Sequence, residues 1–172
     1  MLYIFETPKS NARFSLKLHL ITADVVIDAV KQEKFDMALL KWDKTYAVGI
    51  KIVDDQHAGL FDSLNELHSA MLKGDVNAVI SPMLQDLLAY TRTHFSAEEL
   101  MLAKAKYPDL AEHQAKHRKF AAQIAEYAER HKRGETALSV HLIDFLRKWL
   151  TDHILREDRA YSSWLAQSGM RF

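Results

Sequence analysis

Between residues 53 and 160 the chain is punctuated in a way that leaves few folds open. Gly74-Asp75, Tyr107-Pro108 and Arg133-Gly134-Glu135 cut it into four blocks of helix length. Helices are expected near 53–73, 76–105, 110–133 and 136–160. Each block carries an apolar stripe in alternating steps of three and four. The first reads Val53, His57, Leu60, Leu64, Leu67, Met71, and the second Ile80, Leu84, Leu87, Thr91, His94, Glu98. The third reads Leu110, His113, His117, Phe120, Ile124, Tyr127. The fourth reads Leu138, Leu142, Phe145, Trp149, His153, widened by Leu146 and Leu150. Such a stripe is the seam that helices bury when they pack nearly antiparallel. Four of them on short connections predict an all-α, up-down-up-down four-helix bundle.

The stripes contain residues that do not belong in an oily core. His57, His94, Glu98, His113, His117 and His153 all fall on inward positions. A single inward histidine is ordinarily a hydrogen-bonded core residue. Five of them, spread over four helices, need a common partner, because each unpaired buried polar group costs roughly 1–3 kcal/mol. A metal centre is such a partner. The pairs His94/Glu98 and His113/His117 are four residues apart and point the same way one turn apart. His153 and Asp158 are five apart, which a regular helix separates by about 140°. Either Asp158 reaches in from the side or the helix widens there into a π-like turn, a feature frequent at functional sites.

Donor types then narrow the metal. There is no cysteine, so thiolate sites, disulfides and cysteine nucleophiles are excluded. Five imidazoles and two carboxylates exceed the needs of one tetrahedral zinc, and calcium or magnesium would prefer oxygen. The set suits two six-coordinate first-row ions sharing Glu98, Asp158 and an oxide or hydroxide bridge, with one position left open. Iron is the first candidate, ahead of manganese and cobalt.

These motifs resemble those of the hemerythrin family, of the single-domain bacterial kind, from about Lys41 to Trp164. The residues are DDQH around His57, HFSAEE around His94 and Glu98, YPDLAEHQAKH through His117, and WLTDHILRED around His153 and Asp158. The resemblance implies one iron on His113, His117 and His153, a second on His57 and His94, and Glu98 and Asp158 bridging them. It further implies reversible dioxygen binding at the open position of the second iron. The expected role is non-enzymatic: oxygen storage, delivery to an oxygen-consuming enzyme, or sensing. The competing reading is a diiron oxidase or peroxidase, or an enzyme acting on nitric oxide. Leu150, one turn before His153, is the candidate wall of the oxygen pocket, and Trp149, Phe61 and Met101 are further candidates for shielding. Asp54, Glu99 and Asp152 lie beside ligand positions; one reading has them orient an imidazole, and solvated or helix-start charges are the favoured one.

Lys plus Arg equals Asp plus Glu at 23 each, giving no basic footprint for nucleic acid or an anionic membrane. No apolar run approaches the ~20 residues of a membrane span, and the N-terminus lacks a secretion signal. A cytoplasmic monomer is expected. Residues 1–36 have no place in the bundle and read as an N-terminal extension, with the bundle over 37–172. Gln32-Glu33 can be encoded by a ribosome-binding sequence three codons before Met37, which makes Met37 a candidate start. His19, His68, His131 and His141 fall off the ligand pattern and read as surface or rim residues.

Overall fold

A computed structural model describes residues 38–135 and 137–170, so the extension 1–36 lies outside the described residues. Four rods form: α1 Lys51–Lys73, α2 Val76–Ala105, α3 Leu110–Lys132 and α4 Leu138–Asp152. The last continues through a π-helical turn, His153–Asp158, into α5, Arg159–Gln167. Helix α1 packs on α2 and α4, and α3 packs on the same two, which closes the ring of a four-helix bundle. No strand occurs among the described residues.

The ends follow local chemistry. Helix α1 stops at Gly74, whose φ of 75° is left-handed, and the Asp75 N–H returns to the Ala70 carbonyl at 2.9 Å. This wrapping of the last turn is what glycine makes inexpensive. Helix α2 uses Lys106 at φ 58° for the same purpose, with Pro108 two residues on to prevent continuation. The fourth rod starts two residues later than the sequence predicts, because Ala137 takes φ 60° before the first turn. It also runs further, to Gln167, since the π turn carries the helix past Asp158.

The predicted stripes are the buried ones. Leu64, Leu67, Leu87, Ile124, Leu142 and Leu146 pack the apolar length of the bundle, while Met71, Thr91, Leu110, Phe145 and Trp149 are half-buried at its margins. The segment before α1 is fastened across it. Asn65 pairs with Leu40, accepting from its N–H at 3.1 Å and donating to its carbonyl at 2.8 Å. The Asp54 carboxylate accepts the N–H groups of Val48 and Gly49. So held, Trp42 and Tyr46 lie on Phe61, with Trp42 also against His57. Among the described residues, no helix is long and apolar enough to cross a membrane.

Candidate metal centre

Every rod delivers polar groups to one level of the bundle. His57 comes from α1, His94 and Glu98 from α2, His113 and His117 from α3, and His153 and Asp158 from the two ends of the π turn. All seven are buried, none more than 4% exposed. The i→i+5 bonding of a π turn aligns residues five apart. That is how His153 Nε2 comes to stand 3.1 Å from Asp158 Oδ1.

The seven divide into two lobes. In the first, Glu98, His113, His117 and His153 each offer one donor atom, all within 4.8 Å of one another. Glu98 Oε2 lies 3.1 Å from His113 Nε2 and 3.2 Å from His117 Nε2, and the Nε2 atoms of His117 and His153 are 3.0 Å apart. In the second lobe, His57 and His94 face each other with ring centroids 5.1 Å apart. Asp158 joins the lobes, Oδ1 turned to His153 and Oδ2 lying 3.3 Å from His57 Nε2. Glu98 is less symmetrical. Its Oε2 serves the first lobe and stands 3.9 Å from His94 Nε2, while its Oε1 accepts the Tyr161 hydroxyl.

Three partners outside the ring of donors orient it, and two of them fix tautomers. His117 donates from Nδ1 to Glu99 Oε1 at 2.9 Å, and His94 donates from Nδ1 to Gln56 Oε1 at 2.6 Å. Each imidazole then carries its lone pair on the inward Nε2. Such orienting bonds are the usual companions of metal-binding histidines. Tyr161, fully buried on α5, holds Glu98. Glu99 is therefore bound to an imidazole instead of being a solvated charge, as the sequence alone suggests. Asp54 does cap the segment before α1, and Asp152 is exposed at 4.0 Å from Arg156. Gln56 and Tyr161 escape sequence reasoning. The only available signals were Gln56 beside His57 and Tyr161 three residues beyond Asp158, and neither is specific.

The electrostatics fit a cation. Burial, reinforced by neighbouring imidazoles, lowers the His57 pKa to about 3. Burial also lowers His94 to about 4 and puts His153 well below its ordinary value. These rings are neutral at pH 7. Asp158 is driven up by burial and then by the Glu98 charge. Burial pushes Glu98 up too, but the imidazole nitrogens of His113 and His117 beside its Oε2 outweigh it and hold the carboxyl low. Asp158 nevertheless receives no hydrogen bond on either oxygen, although imidazole nitrogens lie near both, and His57 Nδ1 is likewise without a partner. The His117 lone pair aimed at Glu98 Oε2, together with two Asp158 oxygens that have no donor among the imidazoles around them, is an arrangement that positive ions satisfy and that an apolar core does not.

Aromatic and apolar groups wall the centre. Phe95 stacks on His117 at 3.7 Å, Tyr90 on His94 at 4.5 Å, and Trp149 on His153 at 4.2 Å. Phe61 reaches the site through Trp42, and Met101 lines a cleft of about 270 Å³ with Ile50, Val53 and Ala97 that ends on His94 and Glu98. Leu150 is 2% exposed in the core and lines neither this cleft nor the one beside His153. His68, His131 and His141 stay off the centre, as the sequence predicts. His141 is exposed and His68 half-buried.

A four-helix bundle that converges five imidazoles and two carboxylates on one buried level defines a class of histidine-rich metal proteins. The hemerythrin HHE cation binding domain matches residues 48–165, and the chain belongs to the hemerythrin family. It is 36% identical over 126 residues to a bacteriohemerythrin of Stenotrophomonas maltophilia, covering 73% of this chain and 81% of that one. A bacteriohemerythrin of Methylococcus capsulatus is 32% identical over 131 residues, covering 76% and 99%. Among solved structures, a hemerythrin with one leucine replaced by tyrosine superposes with a TM-score of 0.67 at 31% identity, covering 74% of this chain and 97% of that one.

Proposed function

We propose that this protein binds dioxygen reversibly at a non-haem diiron centre held by His57, His94, Glu98, His113, His117, His153 and Asp158. His113, His117 and His153 would hold one iron, His57 and His94 the other, with Asp158 and Glu98 between them. The observation that carries this reading is the convergence of five buried imidazoles on two buried carboxylates, one of which, Asp158, has no hydrogen-bond donor on either oxygen. When bound, a ferrous pair supplies the two electrons that dioxygen takes up and returns.

The remaining work belongs to the chain. Glu99 and Gln56 keep the His117 and His94 lone pairs aimed inward. Tyr161 holds Glu98, so that its other oxygen faces the centre. Phe95, Tyr90 and Trp149 cover three of the five imidazoles and exclude water, which slows irreversible oxidation. The cleft ending on His94 and Glu98 has no charged side chain besides Glu98, which suits entry of an apolar gas. Leu150, packed one turn before His153, is the proposed inner wall. The predominance of histidine over carboxylate supports a carrier over an oxidase. Storage, or delivery to an oxygen-consuming enzyme, is the proposed use, by a monomer in the cytoplasm.

The test is anaerobic reconstitution with ferrous iron followed by visible absorption. Two irons per chain and a band that appears with air and disappears on degassing are expected. A spectrum that changes once with air and never reverts would replace the carrier with the oxidase reading.

A further inference from the structure

A second cleft reaches the centre from the opposite side. It has a volume of about 400 Å³ and lies between α3 and the end of the fourth rod. Trp149 and Phe145 form its apolar part, His153 its inner end, and Lys116, Lys148 and Arg156 stand around it with Asp152 and Glu157. Lys116 is already committed, bridging Glu112 at 2.8 Å and Glu157 at 2.5 Å. Arg156 is exposed and only loosely paired, 4.0 Å from Asp152. Lys148 is exposed and has no ion-pair partner among the described residues. Two cations are therefore on offer above an aromatic floor.

Its inner end matters more. Trp149 lies nearly parallel to the His153 ring, 17° between planes, and Phe120 lies 4.0 Å from Trp149 on the way inward. The other cleft at the seven donor groups ends on His94 and Glu98. A buried centre that loses electrons to oxygen needs an external donor to restore it, and electrons pass most readily where a conjugated ring connects surface to ligand. The other cleft offers a donor no cation, whereas this one offers an aromatic surface, one unpaired and one loosely paired cation, and a ring stacked on a proposed ligand.

We propose that this cleft is a docking site for a planar aromatic electron donor bearing a phosphate, of the reduced flavin mononucleotide type. The three-ring system would lie against Trp149 and Phe145, and the phosphate would meet Lys148 and Arg156. The balance is simple: the flavin hydroquinone gives up two electrons, one for each ferric ion, and two protons, and leaves as the oxidised flavin. The electron role rests on the diiron reading of the preceding section. The binding role does not.

The experiment has an arm for each. Equilibrium dialysis of oxidised flavin mononucleotide against metal-free protein is expected to give saturable binding of one flavin per chain. Binding should weaken about tenfold in Lys148→Glu, from a lost and reversed surface charge, and further in Lys148→Glu/Arg156→Glu. Both side chains are exposed, so these variants fold. Lumiflavin, which lacks the phosphate, should bind with an affinity that neither substitution changes. In the second arm, oxidised iron-loaded protein is mixed with reduced flavin mononucleotide or reduced lumiflavin. The phosphate-bearing donor should react faster, and Lys148→Glu should erase its advantage. No saturable binding, or binding indifferent to both substitutions, overturns the site. Binding as expected with equal reduction rates overturns the electron role and leaves the flavin site standing. Failure to load iron sinks the diiron reading while the dialysis result still decides the site.

Discussion

His153 and Asp158 stand at the two ends of a single π-helical turn, and that turn sets His153 Nε2 3.1 Å from Asp158 Oδ1. A continuous α-helix would have turned the two side chains apart. A π turn is itself less stable than an α-helix, so this one is retained for what it aligns. Asp158→Ala keeps the turn and removes the oxygen that the turn brings to His153. Iron bound per chain should then fall well below two, with the helical circular dichroism unchanged. Full iron loading in that variant would show that the turn delivers no ligand to the site.

Tyr161→Phe isolates the bond to Glu98. The ring stays packed, but one buried carboxylate oxygen loses its donor. The cost should be about 1–3 kcal/mol in the metal-free protein, read from urea denaturation. In the iron-loaded protein, faster loss of iron to a chelator is expected. A variant with unchanged stability and unchanged iron release would mean that the hydroxyl does not hold Glu98.

Glu99→Ala and Asp152→Ala form a matched pair. Both residues neighbour ligand positions in sequence, yet only Glu99 accepts from an imidazole. Loss of such an orienting group typically costs about 10–100-fold in metal affinity. That loss is expected for Glu99→Ala in competition with a chelator, and no measurable change for Asp152→Ala. Equal effects would refute the assigned tautomer of His117.

Acid should destabilise the metal-free protein. His57, His94 and His153 have folded pKa values below the unfolded one, about 3 and 4 for the first two. Their contribution is complete above about pH 6.5 and is lost as the unfolded chain takes up protons below it. The loss is on the order of 1 kcal/mol per histidine per pH unit. Asp158 works the other way, since its raised folded pKa favours the folded state as pH falls. Three histidines outweigh one carboxylate, so the midpoint in urea should fall steadily from pH 7 to pH 5. A flat or rising midpoint would contradict the burial of neutral imidazoles.

Leu67→Ala tests the separation of scaffold from site. Leu67 is fully buried in α1, ten residues beyond His57. The substitution should cost about 2–5 kcal/mol and leave iron stoichiometry unchanged, as measured by denaturation and metal analysis on the same sample.

The four rods were legible because breakers at Gly74, Pro108 and Gly134 divide stripes with a clear helical period. The inward histidines and acids were legible because they fall on the same stripes as the core leucines. Even the five-residue spacing of His153 and Asp158 announced a choice between two geometries, and the structure takes the π turn. What stayed hidden came from the third dimension. Gln56 reaches His94 across 38 residues and Tyr161 reaches Glu98 across 63, and no local period links them. Glu99 looked like a surface charge because its neighbour Glu98 takes the inward position. Its partner His117 lies on another helix.

The most direct test of the account is gas stoichiometry on the ferrous protein, followed with an oxygen electrode. Uptake of one dioxygen for every two irons, with the same amount released under argon over repeated cycles, is the predicted result. Oxygen consumed without return, or taken up again only after adding a reductant, would contradict reversible binding.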